Sequence, residues 1–339
     1  MKIFFIVAIL LSGLNTINAQ TNPPTGPAAD KAIKAYSEGK LNELAAAMPT
    51  LKKAYPNHPY TIFFAAHVAD RVDNNVSEAL RGYSEVIKLA PDLSDPFIFR
   101  AIIYNEKGMY QKAIDDMTKA IELEGDKMPN NFTLRGNIYA NAGNDSEAYQ
   151  DFKKAISLSP NLASNYRGIM NTGLLTGRKD EIISILSNAV NGSEAQNGSV
   201  WEVWGDVNLR TKQFATADKA YGKAIALDAT NANADCYNSA AIAALNTNQF
   251  VKAKQLAEKA ISLAPKNHLF YCNRSEISIQ DKTWEEVYTW AQKALQVNEK
   301  SARANLLMAI GVKRTNRGDA LSAEYEKKSK QLQEDGVQD

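Results

Sequence analysis

The stretch Asn130–Pro160, NNFTLRGNIYANAGNDSEAYQDFKKAISLSP, has the pattern of two short amphipathic helices joined by a tight polar turn. In its first half, Phe132, Gly136 and Tyr139 recur at helical spacing, so they share one face of a helix. Gly143 then interrupts the apolar pattern and is followed by Asn and Asp, which favour the start of a new helix. The first half is therefore predicted to be a helix that ends before Gly143.

The second half of the stretch carries its own apolar stripe. Ala148, Phe152 and Ala155 lie on one helical face, and Pro160 ends the pattern. The small residues allow two helices to approach closely, while the aromatic residues fill the space around them. A hairpin of this size cannot bury its own apolar faces, so it needs neighbours of the same kind.

The rest of the chain repeats this pattern with a period near 34 residues. Helix-ending prolines are separated by 35, 69 and 105 residues, and the small residue of the second helix recurs after 34, 35, 69 and 36. The prolines are Pro56, Pro91, Pro160 and Pro265, and the small residues are Ala79, Ala113, Ala148, Ala217 and Ala253. Two signals with one period predict a repeat protein.

The order of residue types within the unit resembles the tetratricopeptide repeat (TPR) family. That order is an aromatic residue, a small residue, Tyr, Ala, an aromatic residue, Ala and Pro. The best matches are Phe132-Gly136-Tyr139-Ala148-Phe152-Ala155-Pro160, Trp201-Gly205-Ala217-Tyr221-Ala224 and Phe97-Ala101-Tyr104-Ala113-Met117-Ala120. The unit after Pro160 lacks its second-helix alanine, and the last unit has Asn305 where the leading aromatic residue belongs.

The resemblance implies an all-α fold, a right-handed α-solenoid of about nine TPR helix-turn-helix hairpins. The units are expected at about 30–57, 59–92, 94–127, 129–161, 162–197, 198–231, 234–266, 268–300 and 302–333, followed by a tail at 334–339. The charged last helix suits the end of a solenoid, because no further repeat covers it.

The beginning of the chain has the pattern of a secretory signal. Residues 1–19 combine Lys2, an apolar centre from Ile3 to Leu14 and a small residue, Ala19, before the expected cleavage site. The apolar run is too short to span a bilayer easily. We expect cleavage before Gln20, a disordered Pro-rich tether at 20–29, and a periplasmic or extracellular location; an uncleaved anchor is the alternative.

The overall charge of the chain is balanced, with 39 Lys plus Arg against 38 Asp plus Glu. Removal of residues 1–19 takes away one lysine and no acid, which leaves 38 of each. A neutral chain argues against broad binding to nucleic acid or to an anionic membrane.

The residues that usually carry catalysis or metal binding are sparse. His58, His67 and His268 are not paired with another His or Cys at ligand spacing, and no phosphate loop, nucleophile elbow or HExxH stretch is present. The sequence therefore predicts a protein that is not an enzyme, with no catalytic residue, metal or cofactor. Cys236 and Cys272 are expected to be buried free thiols.

Two sets of residues allow a structural and a binding interpretation. Arginines directly precede the small residue of several first helices; they could form a basic ladder for acidic groups, or pack between helices and bond to backbone or carboxylate. Tryptophans could form a stacking platform for sugars, or fill the core. These residues are Arg100, Arg135, Arg167 and Arg274, and Trp201, Trp204, Trp284 and Trp290.

By family resemblance, first helices line a concave groove in which ligands usually lie. The residues expected to point into it are Asn105, Asn137, Asn141, Asn165, Glu202, Asp206, Asn238, Asn246 and Glu276. This amide-rich lining suits hydrogen bonds to the backbone of a neutral or basic peptide. We expect a non-catalytic interaction scaffold of the cell envelope that binds a protein partner there; the alternative is an envelope protein that binds carbohydrate or a small ligand through exposed tryptophans.

Overall fold

The computed structural model describes residues 22–228 and 233–337. The predicted signal at 1–19 and the last two residues of the predicted tail lie outside these ranges. Within them the regular secondary structure consists of eighteen α-helices. The chain divides into two compact units, Met1–Arg178 and Lys179–Asp339, called unit 1 and unit 2 below.

Unit 1 contains the first nine helices. They are α1 Pro27–Ser37, α2 Leu41–Ala54, α3 Pro59–Arg71, α4 Val76–Leu89, α5 Asp95–Glu106, α6 Tyr110–Glu124, α7 Pro129–Asn141, α8 Asp145–Leu158 and α9 Ala163–Leu175. Each helix packs against the next one along the chain. The first eight therefore form four consecutive hairpins, and α9 follows them.

Unit 2 contains the remaining helices. They are α10 Lys179–Asn191, α11 Gly198–Arg210, α12 Phe214–Leu227, α13 Ala234–Asn246, α14 Phe250–Leu263, α15 His268–Gln280, α16 Trp284–Val297, α17 Ala302–Arg314 and α18 Asp319–Glu334. Here too each helix packs against its successor, and four hairpins follow α10. The fold class predicted from the sequence, an all-α solenoid of about nine TPR-like hairpins, is confirmed.

The turn inside a hairpin depends on one residue with left-handed backbone. In the Asn130–Pro160 stretch this residue is Gly143, with φ +77°, and the amide of Asn144 donates to Tyr139 O over 2.8 Å. Glycine adopts this conformation without steric cost. The Asn144 side chain makes no capping hydrogen bond to α8, so the helix starts there without the expected side-chain cap.

The small and large residues of the repeat pack together as their sizes require. A Cβ on Gly136 would lie 3.0 Å from the ring of Phe152, and a Cβ on Gly168 would lie 2.7 Å from it. The ring thus fills space that both first helices leave open. Ala148 and Ala155, on the same face of α8 as Phe152, are fully buried.

The tether predicted for 20–29 needs correction at its end. Helix α1 begins at Pro27, because proline suits the first position of a helix, and Ala29 is fully buried. The hydroxyl of Tyr55 donates to the carbonyl oxygen of Thr25, which fixes the segment before α1. Residues 27–29 therefore belong to the first hairpin. Cys236 and Cys272 are both buried thiols that form no disulfide, as predicted.

Candidate functional site

The first helices of successive hairpins contact one another within each unit. In unit 1 these contacts join α5 to α7 and α7 to α9, and in unit 2 they join α11, α13, α15 and α17 in sequence. Side chains on this side can therefore meet across hairpins. We call it the inner surface of each unit, and all nine predicted groove residues belong to helices that form it.

In unit 1 the structure pairs two of the predicted groove residues. Asn141 Nδ2 donates to Asn105 Oδ1 over 3.0 Å. Asn137 lies one helical turn before Asn141 and is exposed. The pair fixes the orientation of its two amides, and each amide keeps further hydrogen-bonding capacity.

Asn165 was predicted to point into the groove, and this is wrong. The residue is fully buried and lines no accessible surface. Its Oδ1 accepts from Thr133 Oγ1 over 2.8 Å, which links α9 to α7. Its Nδ2 has no hydrogen-bond partner among the described residues. Asn165 therefore ties neighbouring first helices together instead of facing a partner.

In unit 2 a polar chain crosses three first helices. Asn273 Nδ2 donates to Asn238 Oδ1 over 2.6 Å. Arg303 Nη2 donates to Asn273 Oδ1, also over 2.6 Å, and the same guanidinium binds Glu276 through Nε at 2.7 Å and Nη2 at 2.6 Å. We call Asn238, Asn273, Glu276 and Arg303 the polar ladder. Asn238 and Glu276 were predicted as groove residues. Asn273 and Arg303, which were not predicted, connect them.

The remaining predicted residues in unit 2 have separate surroundings. Asp206 Oδ1 accepts from Tyr221 OH over 2.7 Å, so this carboxylate serves a core tyrosine. Burial first, and then Asp206, raise the pKa of Tyr221 far above its ordinary value. Glu202 is half-buried, and Asn246 is exposed with its Nδ2 on Ile242 O of its own helix.

Three residues of the inner surface were missed at the sequence level: Thr133, Asn273 and Arg303. Each joins adjacent first helices, with partners 32, 35 and 27 residues away in sequence. Separations close to one repeat length are the signal that could have identified these pairs. Arg303 in addition lies in the last unit, where the family pattern is weakest.

Three of the four repeated arginines bond to carboxylates within the chain, which is the structural role considered above. Arg100 binds Asp116 through Nε at 2.8 Å and Nη2 at 2.7 Å, and its Nη1 donates to Ser84 over 2.9 Å. Arg135 binds Asp151 with the same two atoms, both at 2.8 Å. In each case the acid lies 16 residues later, on the second helix of the same hairpin. Arg274 is almost fully buried and binds Glu258 and Glu286. These three arginines do not form a ladder for a ligand.

Three of the four tryptophans are held by contacts within the chain. Trp201 Nε1 donates to Ala195 O over 3.0 Å. Trp284 has the guanidinium of Arg314 at 4.9 Å from its ring, and Trp290 has Lys293 at 4.0 Å and Arg274 at 5.0 Å. These contacts place cations at the rings of Trp284 and Trp290, so neither ring is a bare platform for sugars.

Neither a metal centre nor a membrane span is found in the part of the chain that the structure describes. Residues 22–228 and 233–337 hold no group of three or more His, Cys, Asp and Glu side chains placed to bind a metal ion. No helix in these ranges combines the length and apolarity that crossing a bilayer requires. His58 caps α3, with Nδ1 accepting from the Tyr60 amide over 3.2 Å, and His67 is buried.

Comparisons with known proteins agree with this architecture. Residues 97–127, 130–162 and 234–267 match the model of the tetratricopeptide repeat. The Photosystem I assembly protein Ycf3 of Acaryochloris marina is 30% identical over 119 residues, which are 32% of this chain and 69% of that protein. Tetratricopeptide repeat protein 13 of Homo sapiens is 33% identical over 105 residues, 30% of this chain, but the match spans only 12% of the human protein.

Among solved structures, the C-terminal part of a TPR repeat-containing protein from Cytophaga hutchinsonii superposes with a TM-score of 0.51. The match covers 82% of this chain and 100% of that one at 17% sequence identity, which supports the fold alone. Together with the repeat pattern and the helix pairs, these findings show that the chain belongs to the tetratricopeptide repeat family. It is a scaffold for protein–protein interaction, and such scaffolds are typically not catalytic.

Proposed function

We propose that this chain is exported and works as an envelope scaffold that holds a segment of a partner protein on its inner surface. The observation that carries the proposal is the fixing of polar side chains across hairpins. The pair Asn105–Asn141 and the polar ladder hold amides and charges in place before a partner arrives. A preorganised surface loses less conformational entropy when it binds.

The chemistry of the inner surface favours a peptide backbone as the ligand. A side-chain amide offers donors and an acceptor together, which match the N–H and C=O groups of an extended chain. Asn137 and Asn246 are exposed on this side, and each is one or two turns from an amide that contacts a neighbouring first helix. These two positions suit a test because, among the described residues, their side chains make no hydrogen bond to another helix.

The experiment uses the chain from Gln20 onward as bait for proteins of its own organism's envelope extract. A variant with both Asn137→Arg and Asn246→Arg places bulk and charge on the inner surface. The control carries Gln150→Arg and Gln255→Arg, two exposed positions on the second helices α8 and α14. We expect the native chain and the control to retain the same partner and the inner-surface variant to lose it. Equal retention by all three would refute the assignment.

Export is tested separately. The full chain, expressed in a bacterial host, should appear in the periplasmic fraction with the mass of a polypeptide that starts at Gln20. This expectation follows from the basic, apolar and small-residue segments of residues 1–19. Retention of the full mass in the membrane fraction would favour an uncleaved anchor, and full-mass protein in the cytoplasm would contradict export.

A further inference from the structure

Cations and aromatic rings meet at the turns of the last two hairpins of unit 2. The guanidinium of Arg314 lies 4.9 Å from the centre of the Trp284 ring, and that of Arg317 lies 4.1 Å from the centre of the Tyr288 ring. Lys282 lies two residues before Trp284, and Lys313 directly precedes Arg314. We call the six residues Lys282, Trp284, Tyr288, Lys313, Arg314 and Arg317 the basic patch.

Most of the positive charge in the basic patch has no counter-charge. Arg317 Nη2 donates to Glu285 Oε2 over 2.7 Å. In residues 22–228 and 233–337, by contrast, the side chains of Lys282, Lys313 and Arg314 have no hydrogen-bond or ion-pair partner, and all three are exposed.

Two acids that neighbour Lys282 and Trp284 in the sequence are already occupied. Asp281 and Glu286 bind Lys254 Nζ at 2.6 and 2.8 Å, and Glu286 also binds Arg274. Of the four cations of the basic patch, only Arg317 therefore contacts a carboxylate among the described residues, that of Glu285.

We propose that the basic patch is a second docking site, for an acidic segment of a protein partner. A guanidinium stacked on a ring is partly immobilised, and its edge N–H groups remain in a planar fork that fits a carboxylate. The patch spans only two hairpins, whose helices are roughly 10 Å apart, so it suits a few carboxylates of one segment. The balanced charge of the chain, 39 basic against 38 acidic residues, disfavours a nucleic acid or an anionic bilayer. The site does not rest on the function proposed for the inner surface.

The test uses the chain from Gln20 onward and a fluorescent peptide of alternating Glu and Gly. A matched peptide of Gln and Gly serves for comparison. Binding is followed by fluorescence anisotropy and by the emission of the protein's tryptophans. We expect the Glu peptide to bind and the Gln peptide not to bind, with affinity falling as salt is added. Arg314→Ala should weaken binding by about tenfold, the usual effect of losing a charged hydrogen bond. Arg314→Lys should weaken binding of the Glu peptide by less than Arg314→Ala does, because lysine keeps the charge but lacks the planar fork.

The matched control is Lys223→Ala, which removes an exposed cation from α12 outside the basic patch and should leave binding unchanged. The inner-surface substitution Asn246→Arg should also leave it unchanged, which separates this site from the groove. Far-ultraviolet circular dichroism checks that each variant is folded. Equal binding of the two peptides, no effect of Arg314→Ala, or stronger binding to phosphatidylserine vesicles or single-stranded DNA than to the Glu peptide would overturn the proposal.

Discussion

Gly205 of α11 lies against the ring of Tyr221 on α12, so that a Cβ on Gly205 would be 2.7 Å from Tyr221 Cε1. The ring is fully buried, and its hydroxyl donates to Asp206 on the same helix as Gly205. Within this hairpin the Tyr221 ring packs on Gly205, and Asp206 fixes the orientation of the ring through its hydroxyl group. Because the ring is held at both ends, it cannot move aside easily.

We therefore predict that Gly205→Ala destabilises unit 2 in spite of the higher helix propensity of alanine. The added methyl group overpacks the interface, for which about 1–3 kcal/mol is typical. Urea denaturation followed by tryptophan fluorescence measures the change, because all four tryptophans, Trp201, Trp204, Trp284 and Trp290, lie in unit 2.

The matched control for this prediction is Gly222→Ala, on α12 of the same hairpin. A Cβ at Gly222 meets nothing within 4 Å. This substitution should stabilise unit 2 by about 0.5–1 kcal/mol, because alanine loses less backbone entropy in a helix. Changes of the same sign in the two variants would contradict the packing that we describe.

The ion pair between Arg135 and Asp151 should be important for unit 1. Both N–H···O distances are 2.8 Å, and Asp151 is buried. Asp151→Ala leaves a guanidinium without its partner inside the hairpin, so we expect a loss of about 3 kcal/mol. The measurement is urea denaturation followed by circular dichroism at the helical band.

Glu147→Ala serves as the control, since it removes an exposed acid from the same helix, α8. It should change stability by no more than about 0.5 kcal/mol. In the double variant Arg135→Met with Asp151→Leu, much of the stability should return, because apolar side chains can replace a buried pair. A loss for Asp151→Ala as small as that of the control would show that the pair contributes nothing.

The carboxyl group of Asp95 should make unit 1 less stable as the pH rises. Burial, and then the neighbouring Glu124, raise its pKa to about 7, while the hydrogen bond from Tyr36 OH opposes this shift. In the unfolded chain the pKa is about 3.9. The favourable contribution is therefore complete below about pH 4 and is lost as the pH increases through 7. Asp95→Asn should remove this slope, as measured by urea denaturation across the pH range. Parallel curves for the two proteins would rule out the shift.

His67 should have the opposite effect and make unit 1 less stable as the pH falls. Burial, and then Arg71, lower its pKa to about 4, from about 6.5 in an unfolded chain. Its neutral ring lies 3.2 Å from Tyr83 OH through Nδ1 and 4.6 Å from the Phe99 ring between centres. Unfolding takes up a proton between these pKa values, so stability is lost as the pH falls from about 6.5 to about 4.

His67→Gln is the variant that tests this prediction. It loses packing at every pH, but its stability should no longer fall specifically between about pH 6.5 and 4. The pH range over which Asp95 changes stability overlaps with that of His67. The quantity to analyse is therefore the difference in stability between the variant and the native chain at each pH. An unchanged slope would mean that the pKa of the histidine is the same in the folded and in the unfolded protein.

Much of the fold could be predicted from the sequence because the repeat is a local pattern. Phe132, Gly136, Ala148 and Phe152 mark helix faces and sizes within one hairpin, and Pro160 marks its end. These features depend on residues that are three, four or sixteen positions apart. The helix pairs follow from them. The prediction of a non-catalytic protein rested instead on missing catalytic motifs, and the sequence left the repeated arginines open between packing and ligand binding.

The candidate site was predictable only in part. The sequence located the first helices and their polar positions, including Asn105, Asn141, Asn238 and Glu276. It did not indicate that Asn165 is buried, or that Arg303 connects Asn273 with Glu276. Such contacts depend on the offset between adjacent first helices and on side-chain rotamers, which the period of the repeat does not determine.

By itself, then, the sequence determined a TPR chain of about nine hairpins and the side of each hairpin that faces its neighbours, because apolar periodicity acts within a few residues. The tertiary structure decided which polar side chains bond to one another and which remain available. Asn141 pairs with Asn105, while the guanidinium of Arg314 lies over Trp284 and contacts no acid among the described residues. That difference arises because hydrogen bonds and ion pairs require groups within about 3–4 Å, a distance set only when the helices are packed.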